Sequence, residues 1–237
     1  MLPIKGYWKI TNMEAISKKA AGYAAAELIE NGMLVGLGTG STVYYFIERL
    51  IERLKEGLLI HVVSSSVASE NQAKKGGLPF ADINTITSVD LTVDGADEIT
   101  REKEMIKGGG GALLREKILA NISREMIVIV DESKIVDKLG KHPLPVEILP
   151  FARSAIIDKI KKLGFHGTLR EYHHDGLVIT DNGNMIYDIH FESLRDNPEK
   201  DHEKIIRIPG VLETGFFLHH AGRVLIGKQN GTVDHWN

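Results

Sequence analysis

Residues 33–42 of this 237-residue chain read MLVGLGTGST. The apolar run 33–37 has the length of a buried strand, and the glycine-rich turn after it leads into residues 41–54, whose apolar side chains recur at helical spacing. Because strands that alternate with helices need crossover connections, this succession predicts an α/β fold, in which a parallel sheet has helices on both faces. Further strands are predicted at 58–63, 89–93 and 126–130, and further helices at 13–31, 67–75 and 111–122.

A different pattern begins near Gly140. Three prolines at positions 143, 145 and 150 indicate a passage between two units, and an amphipathic helix is predicted at 152–163. The turn Asp181-Asn182-Gly183 separates the apolar runs 177–179 and 185–187, which predicts a β-hairpin.

The end of the chain completes this second unit and returns to the first. A helix at 198–206 and an apolar strand at 211–218 follow the hairpin, which indicates a small antiparallel α+β unit. Residues 223–226 are expected to rejoin the first sheet. We therefore predict an α/β domain formed by residues 1–140 and 211–237, and a small α+β domain formed by residues 141–210.

The composition excludes several classes of protein. A formal net charge of −3 provides no basic surface for nucleic acid or membranes. The absence of cysteine excludes disulfides, thiolate nucleophiles and cysteine metal sites. Residues 1–13 lack the pattern of a signal or transit peptide, and no apolar run approaches the length of a transmembrane helix. We expect a cytoplasmic protein with no nucleic-acid or membrane partner.

A polar or glycine-rich turn follows each of the four predicted parallel strands. The carboxyl ends of parallel strands meet at one edge of the sheet, where ligands of open α/β sheets bind. These turns are therefore expected to converge on one site. They are residues 36–42 (GLGTGST), 64–66 (SSS), 94–98 (DGADE) and 131–134 (DESK).

The first of these turns has the features of an anion site, because glycine N–H groups and a helix N-terminus favour negative charge. It lacks the glycine that a dinucleotide-binding fingerprint needs at Ser41, and no Gly-Lys-Ser/Thr follows as in a Walker A loop. The alternative is an ordinary strand-to-helix turn with a Ser41 or Thr42 cap.

Lys107 precedes four consecutive glycines, 108–111, which lead into another predicted helix. Glycines permit a close approach of the backbone to a ligand, and a lysine beside them can stabilise an oxygen on which negative charge develops. A flexible linker with a solvated lysine is the alternative interpretation.

Glu116 lies on this helix between Arg115 and Lys117. On a helical wheel it falls about 40° from Ala112, among mostly apolar neighbours. Desolvation on such a surface would raise its pKa, as a general base near neutrality requires. A solvated glutamate in a charged run is the alternative, and the wheel alone favours it.

Asp94 and Asp97 bracket Gly95-Ala96 at the end of the third strand. Two carboxylates this close can bind a divalent metal, bond to sugar hydroxyls or relay a proton, whereas the alternative is a turn of the Asx type. A metal is disfavoured, because the adjacent pairs His173-His174 and His219-His220 point apart and are expected to be surface or packing residues. Lys134, after the fourth strand, is either a phosphate contact or a surface lysine.

Taken together, these motifs resemble the ribose-5-phosphate isomerase family, type A. They occur in the order and at the spacing of that family, and the resemblance covers essentially the whole chain. Gly111 departs from the alanine of many relatives. The motifs are GLGTGST (36–42), SSS-x-AS (64–69), DGADE (94–98), KGGGGALLREK (107–117), DESK (131–134) and GKHPLPVEILP (140–150).

The resemblance implies an aldose–ketose isomerase that interconverts ribose 5-phosphate and ribulose 5-phosphate in the pentose phosphate pathway. The proton transfer would pass through a cis-enediolate, without a metal or another cofactor. The implied fold is a Rossmann-like sheet with a small inserted ferredoxin-like α+β domain. The implied assembly is a homodimer or a homotetramer.

The resemblance also implies roles for particular residues. Glu116 would move the proton between C1 and C2, while Lys107 and the glycine N–H groups after it would hold the enediolate oxygen. Asp94 would bond substrate hydroxyls and assist ring opening, with Asp97 beside it. The remaining implied substrate contacts are Thr39, Gly40, Ser41, Thr42, Gly95, Ala96, Gly108, Gly109, Gly110 and Lys134.

Other functions fit the residues less well. A sugar-phosphate sensor of a transcription regulator needs a DNA-binding module, whereas a single predicted helix precedes the first strand. An acyl-CoA transferase-like enzyme with a glutamate nucleophile needs an apolar groove for the pantetheine arm, and the polar turns suit a phosphosugar better. An enzyme with a nucleotide cofactor needs a glycine spacing that is absent here.

Overall fold

The computed structural model describes residues 12–172 and 176–237. Within these residues, every helix is too short or too polar to span a bilayer. Residues 1–11, where we predict no export segment, and the pair His173-His174 lie outside the described residues.

Helices and strands alternate along the first part of the described chain, as the sequence predicts. A single 3-10 turn lies at Glu132–Lys134. The elements are α1 (Asn12–Glu27), β1 (Leu34–Leu37), α2 (Ser41–Lys55), β2 (His61–Ser64), α3 (Val67–Lys75), β3 (Leu91–Asp94), β4 (Glu98–Ile99), β5 (Met105–Ile106), α4 (Leu113–Ile122), β6 (Met126–Asp131), β7 (Leu144–Ile148), α5 (Arg153–Lys162), β8 (Gly167–Leu169), β9 (Glu171–Tyr172), β10 (Gly176–Leu177), β11 (Met185–Ile189), α6 (Pro198–Ile206), β12 (Val211–Thr214), β13 (Phe216–Phe217), β14 (Ala221–Gly227) and β15 (Val233–Trp236).

The central sheet contains six strands in the order β15-β14-β6-β3-β1-β2. All neighbouring strands are parallel except β14 and the edge strand β15, which are antiparallel. The carboxyl ends of β1, β2, β3 and β6 therefore lie at one edge of the sheet. The four predicted turns therefore share this edge, while their convergence on one site stays a prediction.

Helices cover both faces of this sheet. Ile127 and Ile129 of β6 pack in one core with residues of α1 and α2, whereas Val128 and Val130 pack in another core with residues of α4. Because successive residues of a strand point to opposite faces, α1 and α2 lie on one face and α4 lies on the other. The predicted α/β architecture is confirmed.

A second, antiparallel sheet has the order β12-β7-β11-β8 and packs against α5 and α6. It forms the predicted small α+β unit. Its edge strand β12 lies within residues 211–237, which we assign to the α/β domain, yet it pairs with β7. The domain boundaries at 140/141 and 210/211 stay a prediction.

Two predicted helices, 67–75 and 198–206, coincide with α3 and α6. The predicted helix 13–31 is too long, because α1 ends at Glu27. The amides of Leu28 and Ile29 donate to carbonyls three residues back, at 3.1 and 3.2 Å, which tightens the last turn. The chain then leaves the helix, and the amide of Gly32 donates to the carbonyl of Leu59 at 2.7 Å.

No strand is predicted at the position of β7, because Pro143, Pro145 and Pro150 in and around it indicate a passage between units. Pro145 lacks an N–H group, but β7 still pairs with β11 and β12 on its two sides. The single strand predicted at 211–218 is wrong, since Gly215 separates β12 from β13. A Cβ atom at Gly215 would lie 2.3 Å from the carbonyl oxygen of Lys107, so only glycine permits this close approach.

The predicted hairpin at 177–187 is only partly formed. The amide of Thr180 donates to the carbonyl of Asn184 at 2.9 Å, so the turn lies where the sequence indicates it. However, the strand before the turn pairs with β9, and only an isolated bridge joins Ile179 to Met185. The strand after the turn, β11, pairs with β7 and β8 instead.

Candidate active site

The turns after β1 and β3 and the glycine run 108–111 meet at the carboxyl edge of the central sheet. The amide of Thr39 donates to Oδ1 of Asp94 at 3.1 Å. A Cβ atom added to Gly110 would lie 3.3 Å from Cγ2 of Thr39, so the two glycine-rich segments are neighbours. The structure thus brings together three motifs that are far apart in sequence.

The ammonium group of Lys107 lies at the centre of this site. Its Nζ is 3.0 Å from Oδ2 of Asp94 and 3.2 Å from Oε2 of Glu116, and it donates to the carbonyl of Gly95 at 2.6 Å. All three side chains are buried. We refer to Asp94, Lys107 and Glu116 as the Lys107 cluster.

Local structure explains how Asp94 and Glu116 reach the lysine. Asp94 is the last residue of β3, and its side chain occupies the space above Gly38, where a Cβ atom would lie 2.2 Å from Cγ of Asp94. Glu116 lies in the first turn of α4, directly after the glycine run. Its side chain is 3% exposed, so the alternative of a solvated glutamate is wrong.

Burial and mutual charge perturb the pKa of each group in the Lys107 cluster. Burial, followed by the negative charge of Asp94, raises the pKa of Glu116 to about 8. Burial also raises the pKa of Asp94, against the lowering effect of Lys107. Burial alone would lower the pKa of Lys107, but the neighbouring carboxylates raise it above its usual value. The cluster therefore combines a permanent ammonium with carboxyl groups that retain a proton unusually readily.

Asp97 organises the glycine run rather than the lysine. Its Oδ2 accepts a hydrogen bond from the amide of Gly109 at 2.7 Å, and a Cβ atom at Gly109 would lie 2.6 Å from its Oδ1. The amide of Asp97 in turn donates to the carbonyl of Ile106 at 2.8 Å. The predicted alternative of a local Asx turn does not describe these contacts, because they join two separate segments.

Hydroxyl groups support the turn after β1. Thr39 Oγ1 and Ser65 Oγ are 2.8 Å apart, and Ser69 donates to the carbonyl of Gly38 at 2.7 Å. Gly40 is the N-cap of α2 with φ of 123°, and no side chain caps this helix. The predicted alternative of a Ser41 or Thr42 cap is therefore wrong. An uncapped helix N-terminus leaves N–H groups for an anion.

Lys134 takes no part in the hydrogen bonds and ion pairs of this arrangement among the described residues. It ends the 3-10 turn after β6, at the same edge of the sheet, and is partly exposed. Among the described residues it forms no ion pair, and no contact joins it to the Lys107 cluster.

Several polar contacts of the site come from distant segments that the sequence analysis does not single out. Arg170 donates to the carbonyls of Gly108 and Gly109 at 2.8 and 3.0 Å. It lies 62 residues after Gly108, so no local motif indicates the contact. Lys117 is also buried and pairs with Glu213 at 2.8 Å, across 96 residues of sequence.

The described residues contain no group of three His, Asp or Glu side chains that could hold a metal ion. His219 is exposed, and His220 packs on Phe217 with ring centroids 5.2 Å apart. Burial lowers the pKa of His220 to about 4. The pair thus divides into one surface and one packing residue.

Comparison with known proteins identifies the family. The model of ribose 5-phosphate isomerase A (phosphoriboisomerase A) matches residues 61–231. This chain belongs to that family. Ribose-5-phosphate isomerase A of Protochlamydia amoebophila is 52% identical over 215 residues, which are 91% of this chain and 93% of the relative.

Solved structures of the family share the fold. Ribose 5-phosphate isomerase of Plasmodium falciparum superposes with a TM-score of 0.90 at 36% identity, covering 94% of this chain and 98% of the other. A D-ribose-5-phosphate isomerase in complex with phospho-erythronic acid gives a TM-score of 0.89 at 39% identity, with coverage of 95% and 99%.

Proposed function

We propose that this protein interconverts D-ribose 5-phosphate and D-ribulose 5-phosphate, with Glu116 as the base that moves the proton. Membership of the family supports the reaction. The observation that carries the residue assignment is the buried ammonium of Lys107, which lies 3.2 Å from a glutamate whose pKa is raised to about 8. A base with a pKa near the working pH is best suited to proton transfer.

Glu116 transfers one proton between neighbouring carbons. In the direction from aldose to ketose, its carboxylate removes the proton from C2 of the open-chain sugar. The electron pair left behind forms the C1–C2 double bond of a cis-enediolate, and negative charge develops on the oxygen at C1. The proton of the C2 hydroxyl passes to the oxygen at C1, which moves the negative charge to the oxygen at C2. The protonated Glu116 then returns its proton to C1 as the C2 carbonyl forms, which completes the ketose without a net change at the enzyme.

Lys107 stabilises the charge that appears during this step. When Glu116 is ionised and ready to act as the base, its carboxylate interacts with the ammonium of Lys107. When Glu116 takes up the proton, that interaction weakens, while a new negative charge forms on the substrate oxygen. The ammonium is already desolvated and fixed by Asp94 and the carbonyl of Gly95, so little reorganisation is needed. The N–H groups of Gly108 and Gly110 are the further donors that we assign to this oxygen, while the N–H of Gly109 is held by Asp97.

The remaining predicted residues position the sugar. We assign the substrate hydroxyls and ring opening to Asp94, with Asp97 holding the glycine run beside it. The uncapped N-terminus of α2, which includes Thr39, Gly40, Ser41 and Thr42, suits the phosphate group. Gly95 and Ala96 line the substrate at the end of β3, and Lys134 contributes charge at the same edge. The phosphorylated ligand bound to a family member supports an anion site in this fold.

Isomerisation of ribose 5-phosphate by the purified protein in D2O, with and without EDTA, tests this function. We expect ribulose 5-phosphate to form at an equal rate in both samples, with some solvent deuterium at C1 or C2. Inhibition by EDTA that added metal reverses would contradict the metal-free mechanism. Tight binding of the phosphosugar without turnover would contradict the isomerase and favour a sensor.

The assembly and location belong to the same proposal. We infer a homodimer or homotetramer in the cytoplasm, on the basis of the family resemblance. Sedimentation of the purified protein distinguishes these assemblies from a monomer, and a monomeric active enzyme would contradict the inference.

A further inference from the structure

One side chain of the four-stranded sheet reaches into the candidate active site. Arg170 directly follows β8, and its Nη1 donates to the carbonyl oxygens of Gly108 and Gly109 at 2.8 and 3.0 Å. These glycines follow Lys107 immediately in sequence. A cation from the second sheet therefore contacts the backbone that carries the proposed oxyanion donors.

The guanidinium of Arg170 is held in a fixed orientation. Asp188 of β11 accepts two hydrogen bonds from it, at 2.7 Å from Nε and 2.5 Å from Nη2. Both side chains are largely buried, at 17% and 14% exposure, so water competes weakly for this pair. Bidentate pairs of this kind fix geometry as well as contributing energy. Only Nη1 contacts the glycine carbonyls, so the pair with Asp188 leaves it available for them.

The glycine run needs such an external restraint. Gly108 and Gly111 have φ of 102° and 82°, and glycine backbone loses more conformational freedom than any other residue when it is ordered. Asp97 binds the amide of Gly109, while Arg170 binds the carbonyls of Gly108 and Gly109. The peptide group between Gly108 and Gly109 is thus held at both its oxygen and its nitrogen.

This arrangement also polarises the peptide groups. Asp188, Arg170, the Gly108–Gly109 peptide and Asp97 form a continuous chain of hydrogen bonds with an ionised group at each end. Hydrogen bonds in such a chain strengthen one another in a region of low dielectric. A cation at the carbonyl oxygen of Gly108 strengthens the hydrogen bond from the N–H of Gly109 to Asp97. The same cation at the carbonyl oxygen of Gly109 makes the N–H of Gly110 a stronger donor to the substrate oxygen.

We propose that Arg170, held by Asp188, is a positioning residue for the isomerisation, because it fixes the glycine run beside Lys107 and strengthens its N–H donors. The inference rests on the proposed function. On this proposal, the four-stranded sheet contributes to the active site through Arg170, which follows β8, and Asp188 of β11.

The pair Arg195–Asp201 provides a matched control. Arg195 donates to Asp201 at 2.7 Å and lies over the ring of Phe191 at 4.7 Å, but it does not contact the glycine run. We expect Arg170→Met to lower kcat for ribose 5-phosphate by about 10- to 100-fold, the effect of misplacing reacting groups. KM should change by less than about threefold, since the donors act on the transition state. Arg195→Met should leave kcat within about twofold of wild type.

Two further variants separate positioning from folding. Arg170→Lys keeps the charge but not the planar fork, so its kcat should lie between those of wild type and Arg170→Met. Asp188→Asn removes the negative charge that orients the guanidinium of Arg170. This variant should also lower kcat with little change in KM. An equal loss of kcat in Arg195→Met, or a normal kcat in both Arg170→Met and Asp188→Asn, would overturn the proposal.

Amide hydrogen exchange of residues 108–113 gives a readout that does not depend on turnover. We expect faster exchange in Arg170→Met than in wild type or Arg195→Met, because the glycine run loses its restraint. If wild type itself failed to isomerise ribose 5-phosphate, the proposed function would fail, and the exchange result alone would decide whether Arg170 restrains this loop. Unchanged exchange in Arg170→Met would overturn that restraint.

Discussion

Two buried lysines lie beside the ring of Phe217, and they have opposite surroundings. Nζ of Lys107 is 5.3 Å from the ring centroid, and Nζ of Lys117 is 4.7 Å from it. Lys107 has two carboxylate neighbours, Asp94 and Glu116, whereas Lys117 has one, Glu213 at 2.8 Å. Lys117 also donates to the carbonyl of Thr214 at 2.8 Å.

The number of carboxylates changes what each lysine can do. Burial lowers the pKa of Lys117, and Glu213 compensates only in part. The Lys117–Glu213 pair is balanced in charge and joins α4 to β12. The Lys107 cluster has one negative charge in excess when all its groups are ionised, so one carboxyl group retains a proton up to unusually high pH. Under the proposed mechanism, the balanced pair has a structural role and the unbalanced cluster carries out the proton transfer.

Glu116→Gln should give the largest effect, because it removes the proposed base and balances the cluster at once. We expect kcat to fall by about 10²- to 10⁴-fold, while the melting temperature stays at or above that of wild type. Conversion of ribose 5-phosphate to ribulose 5-phosphate measures the first effect, and thermal unfolding measures the second.

Glu213→Gln is the matched control for that variant, since it makes the same change beside Lys117. Its kcat should stay within about threefold of wild type. Near-normal activity of Glu116→Gln would contradict the assignment of Glu116 as the base. The difference between the Lys107 cluster and the Lys117–Glu213 pair would then not be related to catalysis.

Lys107→Ala should give the second largest loss of kcat. Removing the ammonium leaves Asp94 and Glu116 buried without a cation and removes the group that faces the developing charge. We expect kcat to fall by about 10²- to 10³-fold, with a smaller change in KM, as steady-state kinetics would show. A change confined to KM would contradict the role in stabilising the enediolate.

The sequence predicts the part of this site that depends on local turns. Asp94 and the turn after β1 each lie at the carboxyl end of a strand that the apolar pattern already indicates, so their convergence follows from a parallel sheet. Lys107 and the glycine run precede a predicted helix, and they follow β5, which the apolar pattern did not indicate. The resemblance to the family supplied their roles, because the turns alone left an Asx turn and a flexible linker open. The same local reasoning identified α3 and α6 with their observed bounds.

The burial of Glu116 and Lys117, and their different partners, could not be predicted in this way. Both residues lie in a run of charged residues, and a helical wheel describes one helix without showing what covers its sides. Helix α4 packs against β3 and also against β7 and β12 of the second sheet, which buries both side chains. Strand β7 was not predicted, because it contains Pro145. The ion-pair partner of Lys117, Glu213, lies 96 residues further along the chain. Contacts that join the two sheets, including those of Arg170, have no local signal.

Lys117→Met should affect stability more than activity. Breaking a buried ion pair from one side leaves Glu213 without its cation, which costs about 3 kcal/mol in free energy of unfolding. Urea denaturation should show this loss, with kcat within about fivefold of wild type. The double variant with Glu213→Gln should recover part of the stability. A loss of kcat as large as that of Lys107→Ala, in a variant that remains folded, would contradict the division into a structural and a catalytic cluster.

The last prediction is a pH dependence that links stability to activity. The pKa of Glu116 is raised from 4.5 to about 8 by folding, so the folded protein holds a proton that the unfolded chain releases. The stability from this proton is fully present below pH 4.5 and is lost as the pH rises through about 8. The free energy of unfolding of wild type should therefore fall relative to that of Glu116→Gln across this window. Over the same window kcat/KM should rise, because the base must be ionised to accept a proton. Parallel slopes for wild type and Glu116→Gln would place the excess charge of the cluster on another group.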